Sequence, residues 1–181
     1  MYPYLRMAKE LWKFRNAPAL SVFQPHVSTH RVWPWDIDPW MELNNGRTLT
    51  LYDLGRLPMG KRMGFDRLLK EKGWGLTVAG NTTRYRRRVT VFQKLTMVSR
   101  VLGWDDRFLY IEQSMWRGGD CTSAQMLRGA VISKGGMVPM AQAMAALGVT
   151  EASPALPDWV QQWIAADAAR LWPPETPGVT P

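Results

Sequence analysis

The chain is poor in the residues that staple or metallate small folds. Cys121 is its single cysteine, and His26 and His30 are its only histidines. One cysteine excludes an intramolecular disulfide and a cysteine-rich zinc site. Cys121 also lacks the His-x-Asp setting that would mark a nucleophile. The histidines stand four apart with no third ligand evident, so no metal site is expected, and both are read as ordinary surface or interface residues. Long apolar runs are missing too. "MVPMAQAMAALGV" (137–149) falls short of the roughly 20 residues a membrane span needs, and Gln142 interrupts it. The N-terminus lacks a basic stub, apolar run and cleavage site in that order, so no signal peptide is expected and a cytoplasmic setting is the default.

What is present points to a packed domain. The 181 residues are 46% apolar, enough for a real core and too many for a disordered chain. The expected division is an N-terminal helical extension (1–25), a main domain (26–150), and a C-terminal helix with a loose tail (151–181). The formal net charge is +8, with a pI near 10.0. Nucleic acid, an anionic membrane surface or a polyphosphate-bearing small molecule would each suit that charge.

Periodicity gives the elements. "LRMAKELWKFRNAP" (5–18) reads as a helix with Ala8, Leu11 and Trp12 on one face and Arg6, Lys9, Lys13 and Arg15 on the polar side. Such a helix can lie on a membrane surface; packing on its own domain or on a sister subunit is the favoured expectation. "HVSTHRVWP" (26–34) reads as a strand. Residues 46–63 carry apolar and small residues at three-and-four spacing, a helix that Pro58 should end or kink. Four strand-like segments follow at 75–89, 94–104, 107–116 and 121–133, punctuated by Asp105-Asp106 and Gly118-Gly119, and residues 139–147 and 157–171 look helical. This order predicts an α+β fold with an antiparallel sheet wrapped around one long helix, approached closely at Gly55 and Gly60.

The chemistry concentrates in "WDIDPWMELNNGR" (35–47). Asp36 and Asp38 are two apart, and Asn44, Asn45 and Gly46 stand where the long helix should begin. The leading N–H groups of a helix lack intrahelical partners and polarise a carbonyl oxygen or an anion. With a carboxylate nearby they make a minimal acyl-transfer site. Asp and Asn are equally good caps and turn formers, so spacing alone leaves both roles open.

"DIDPWMELNNGRTLTLYDLGR" (36–56), "TTRYRRRV" (82–89) and "LGWDDRFLYIEQSMW" (102–116) together resemble the hotdog-fold thioesterases of the 4-hydroxybenzoyl-CoA thioesterase-like branch, and within it the thioesterase superfamily member six subgroup. The resemblance implies a hotdog fold, a homodimer or homotetramer, and hydrolysis of an acyl-CoA or related thioester with no cofactor and no metal. It assigns the catalytic carboxylate to Asp38 and the carbonyl-polarising amide to Asn45, with Gly46 beside it and Asn44 fixing the loop. The family's histidine before the asparagine pair is absent; Glu42 stands there, either as an alternative base or as the mark of a weakened or merely binding site. Thr48 replaces a common aromatic. Trp40 and Met41 flank the acid and are candidates to line an acyl pocket. Arg84, Arg86 and Arg88 alternate along a strand and are candidates for the phosphates of CoA; a solvated outer sheet face is the plainer alternative. Asp53 and Arg56, three apart on the helix, are expected to pair. The basic run has no glycine-rich or RNP-like context, so a nucleic-acid partner is not expected.

Overall fold

The computed structural model describes residues 2–175. In chain order the elements are α1 (Tyr4–Lys13), β1 (His26–Arg31), α2 (Asn45–Arg62), α3 (Phe65–Lys72), β2 (Gly75–Tyr85), β3 (Lys94–Trp104), β4 (Leu109–Arg117), β5 (Asp120–Ser133), β6 (Gly136–Val138), α4 (Met140–Ala146) and α5 (Asp158–Ala168). The class is α+β as expected, with the long helix ahead of the four main antiparallel strands. Some details differ. α2 runs unbroken through Pro58, because Leu54 on one side of it and Met59 on the other are both buried and hold the two halves in line. α3 and β6 are additional, and α3 is bounded by left-handed Gly64 and Gly73. Of the expected loose tail, residues 176–181 lie outside the described residues.

The strands pair antiparallel in the order β1-β3-β4-β5-β2, with β6 beside β5. α2 lies on the inner face: Leu51, Tyr52 and Leu54 pack with Leu95, Met97 and Met115, while Met59 joins Ile111, Leu127 and Val131. On the outer face Leu102, Tyr110 and Met126 pack against Val160 of α5.

Between the two inner clusters runs a row of polar residues in register across five strands: His26, Ser99, Gln113, Gln125 and Thr83. Gln113 Nε2 donates to Ser99 Oγ and to the Tyr52 carbonyl of α2, each at 2.8 Å, and Arg56 Nη1 of α2 donates to Gln113 Oε1 at 2.8 Å. Bonds of this kind from the row to α2 fix where a helix sits along a sheet more sharply than apolar contact does. They also require close approach. A Cβ on Gly55 would stand 2.3 Å from Met97 Sδ and within 3.3 Å of the hydroxyls of Ser99 and Ser28. Gly60 meets nothing closer than 3.9 Å, so the close approach belongs to Gly55 alone.

α1 packs over α2 with a mixed face inward, Met7 meeting the core beside Arg6 and Glu10. Arg6 Nη1 reaches Asp36 Oδ2 at 2.7 Å, and Glu10 is buried. Both histidines are buried rather than at the surface: they lie on the inner face of β1, covered by α2 with α1 and Phe14 alongside. His26 takes a 3.0 Å hydrogen bond from Arg62 and stands edge-on to Phe14, and His30 Nε2 is 2.8 Å from Ser28 Oγ. Burial, reinforced by Arg62 and Lys13, lowers His26 to about 4, and burial with Arg6 and Lys13 lowers His30 to about 3.

Gly55→Ala should therefore destabilise by about 1–3 kcal/mol despite its gain in helix propensity. Gly60→Ala, on the same helix without the crowding, should be neutral or stabilising by up to about 1 kcal/mol. Thermal melts of the two variants check this. The histidines set an acid dependence. Both stay neutral in the fold while the unfolded chain protonates them near the ordinary value of about 6.5. Stability is then complete above about pH 6.5 and falls as pH drops towards their lowered values, by up to about 1.4 kcal/mol per pH unit for each ring. Glu10, raised mainly by desolvation, opposes this over a narrower range just above its ordinary value. Urea unfolding across that window should show the decline; a flat profile would contradict two buried neutral rings.

Candidate active site

The segment ahead of α2 is built from short-range devices. Pro34 opens a single 3-10 turn, Pro34–Asp36, with its φ already set. Asp36 is buried, and its Oδ2 accepts both Arg6 and the Trp33 amide, the latter at 3.0 Å. Its backbone carbonyl accepts the Asn44 amide at 2.8 Å. The first acid of the pair is thus a structural knot joining α1, β1 and the start of α2.

Asp38 occupies a different environment. After it the chain reverses: Met41 N donates to Asp38 O at 3.0 Å and Asp38 N to Glu42 O at 2.9 Å, with Ile37 bridged to Leu43. One carboxylate oxygen, Oδ1, accepts the amides of Trp40 at 3.0 Å and Glu42 at 3.3 Å, an Asx-type turn. Among the described residues Oδ2 has no hydrogen-bond partner. The turn-forming and cavity-facing roles left open by spacing coexist in this residue. Glu42 Oε2 lies 3.4 Å from Arg88 Nε, and Arg88 also donates to the Trp40 carbonyl, so Glu42 and Arg88 clamp the turn from outside.

Asn44 caps α2. Its side-chain oxygen accepts the Arg47 amide at 3.2 Å, and its carbonyl accepts the Thr48 hydroxyl at 3.1 Å. The next two amides, of Asn45 and Gly46, have no intrahelical acceptor and find none among the described residues. They head an 18-residue helix, where the positive end of the dipole is fully developed. The Asn45 side chain accepts the hydroxyl of Tyr85.

Asp38, Glu42, Asn45 and Thr48 line one cavity of about 440 Å³. Its far wall is the end of β2 and the chain beyond, Tyr85 to Val89, with Thr122 and Ser123 of β5. Ser123 Oγ is 2.8 Å from Tyr52 Oη, whose burial pushes that phenol up and keeps it protonated. Leu43, Val89 and the Tyr85 ring give it apolar lining.

The structure separates the arginines singled out in the sequence. β2 stops at Tyr85, and the Arg86 and Arg87 amides both donate to Thr122 O, at 2.8 and 3.1 Å. Alternation ends there, so Arg86, Arg87 and Arg88 all border the cavity. Arg84, still on the strand, points to the opposite sheet face, beside Trp159 and Trp163 of α5 in a cavity of about 720 Å³. Arg87, Tyr85 and Ser123 were not foreseen; three successive arginines at a strand end were the available signal for the first. Trp40 and Met41 stand out from the turn into solvent and do not line the cavity. Asp53 pairs with Arg56 as expected, away from the cavity.

Residues 32–164 match the family described as the thioesterase-like superfamily. Among curated proteins, the chain is 31% identical over 111 residues to protein THEM6 of Xenopus laevis, covering 61% of this chain and 54% of that protein. Protein THEM6 of Danio rerio is 29% identical over 98 residues, covering 54% and 48%. The chain spans about half the length of these curated relatives. Among solved structures, the YbaW probable thioesterase of Escherichia coli superposes with a TM-score of 0.64 at 14% identity, covering 68% of this chain and 96% of that one. A DHNA-CoA thioesterase of Staphylococcus aureus superposes with a TM-score of 0.59 at 12% identity, covering 80% and 91%. The antiparallel sheet around α2 is the hotdog fold those structures share. With a match that runs from the acid-bearing segment through strands β2 to β6 into α5, the chain belongs to the thioesterase-like superfamily.

Proposed function

We propose that this chain hydrolyses an acyl-CoA thioester in the cavity at the start of α2. The observation that carries the reading is the meeting, in one cavity, of the Asp38 carboxylate and the unpartnered leading end of α2. The thioester carbonyl oxygen accepts from the Asn45 or Gly46 amide, which stabilises the negative charge that develops on it. Asp38 either attacks the carbonyl carbon or takes a proton from a water that attacks it. The carbon–sulfur bond breaks and the sulfur leaves as the CoA thiol, so water and thioester become acid and thiol. Arg86 and Arg87 make no ion pair among the described residues and are suited to the phosphates of CoA. Glu42, engaged with Arg88, holds the turn rather than serving as the base. β2 is a sheet edge with exposed Leu76 and Val78, suited to pairing with a second copy in a homodimer.

A second reading, a binding protein without turnover, draws on the two amides already held by Asp38 Oδ1. One experiment separates them: purified protein against a panel of short, long and aromatic acyl-CoA esters, with released thiol detected. At least one ester should turn over, and Asp38→Asn should lower kcat roughly a hundredfold to ten-thousandfold with the fold intact. Asp36→Asn should act through the fold instead, lowering stability by about 3 kcal/mol because it leaves the mostly buried Arg6 guanidinium without its counter-charge. Ester binding with no turnover would favour the second reading, and full turnover by Asp38→Asn would remove the proposed role of that residue.

A further inference from the structure

Three exposed apolar features crowd the end of the molecule that carries β1 and the acid turn. The first is α1. Its polar residues Arg6 and Glu10 face the protein, while Leu5 and Trp12 face solvent at 89% and 64% exposure. Met7 packs inward beside them, so α1 covers the core with a mixed face and leaves large apolar side chains on the opposite face in water. The second is an aromatic cluster in which Trp33 stacks on Trp35 at 5.6 Å and meets the Phe92 ring edge-on at 6.2 Å, with Trp35 and Phe92 exposed. The third is the tip of the acid turn, where Trp40 is 72% exposed and Met41 stands beside it. Hydrogen bonds join the first two, and the acid turn follows Asp36 directly in the chain. Arg6 ties α1 to Asp36 and to the Arg31 carbonyl, Phe92 N donates to Val32 O, and Arg88 holds the Trp40 carbonyl.

Backbone conformation gives an independent observation. Among the described residues, Met41 (φ 61) and Phe92 (φ 65) are the two non-glycine residues with positive φ. Each stands in the left-handed region at an exposed position, where glycine or asparagine would be easier by about 1–2 kcal/mol. Folding alone gives no reason to hold a large apolar side chain there, pointing at water. Strain retained at a site is an indication of use.

We propose that this face docks on the surface of an anionic lipid bilayer. Tryptophan, with its apolar ring and single N–H, suits the zone between headgroups and acyl chains. Lys9 and Lys13 stand exposed on α1 among the apolar residues, Arg15 stacks over the Trp12 ring at 4.0 Å, and Arg31 is exposed on β1 beside the aromatic cluster. With a net charge of +8, the complementary surface is a negative one. No helix among the described residues is long and apolar enough to cross the membrane, and the proposed contact lies in the interface plane. This inference does not depend on the thioesterase reading. It would also place the mouth of the acid cavity beside lipid.

Flotation of the purified chain with phosphatidylcholine vesicles, with and without about a third phosphatidylserine, tests it. Binding should require phosphatidylserine and weaken with added salt. Leu5→Ser/Trp12→Ser should lower the affinity at least about tenfold. Met41→Gly/Phe92→Gly should do the same while leaving the melting temperature unchanged or higher, because glycine relaxes both left-handed positions. No flotation at low salt, or undiminished flotation of both double variants, would overturn the proposal. So would variants that instead abolish self-association in lipid-free sedimentation, which would make this face an interface between copies of the chain.

Discussion

The Asp36 carboxylate lies buried beneath α1, with the Arg6 guanidinium and the Trp33 amide on the same oxygen and the Asn44 amide on its backbone carbonyl. A buried carboxylate persists only when its charge is met in this way, and removing one partner is expensive. That requirement ties the N-terminal helix, the first strand and the cap of α2 into one unit. Asp38, two residues on, inherits its position from this tie and from the Glu42–Arg88 clamp on the other side of the turn. The buried acid of the pair thus determines where the second acid stands.

The other half of the geometry comes from the sheet. Gln113 bonds the carbonyl of Tyr52 and receives Arg56, while the missing side chain at Gly55 lets α2 settle onto Met97 and Ser99. Sliding α2 along its axis would break these bonds, so its leading amides are fixed relative to β2 and β5 on the far side of the cavity. Pre-set donors of this kind act on a reacting carbonyl without reorganising first. The arginines complete the setting only because the strand ends at Tyr85 and three successive residues can turn to the same side.

Much of this was legible in the sequence for identifiable reasons. The strand at 94–104 alternates over its first half, 121–133 is a punctuated run of small, apolar and β-branched residues, and Asp105-Asp106 and Gly118-Gly119 mark tight turns whatever surrounds them. The Asp-x-Asp and Asn-Asn-Gly spacing located the cap of α2 because capping is a local event. What stayed hidden was long-range. Pro58 reads as a helix breaker until Leu54 and Met59 are seen buried on either side of it. The alternation of Arg84, Arg86 and Arg88 holds only while the strand lasts, and its end depends on Thr122, more than thirty residues away in sequence. Likewise His26 and His30 look like surface residues on an edge strand, and only their place on its inner face, beneath α2 with α1 and Phe14 alongside, makes them core.

The central claim is that the helix tip and Asp38 converge on a thioester carbonyl. Its most direct test is a crystal structure with an acyl-CoA ketone, in which a methylene replaces the sulfur and the carbonyl survives. The ketone oxygen should lie about 3 Å from the Asn45 or Gly46 amide nitrogen, with the Asp38 carboxylate facing the carbonyl carbon. A ketone bound elsewhere, with those amides still in water and Asp38 engaged only with the turn, would contradict it.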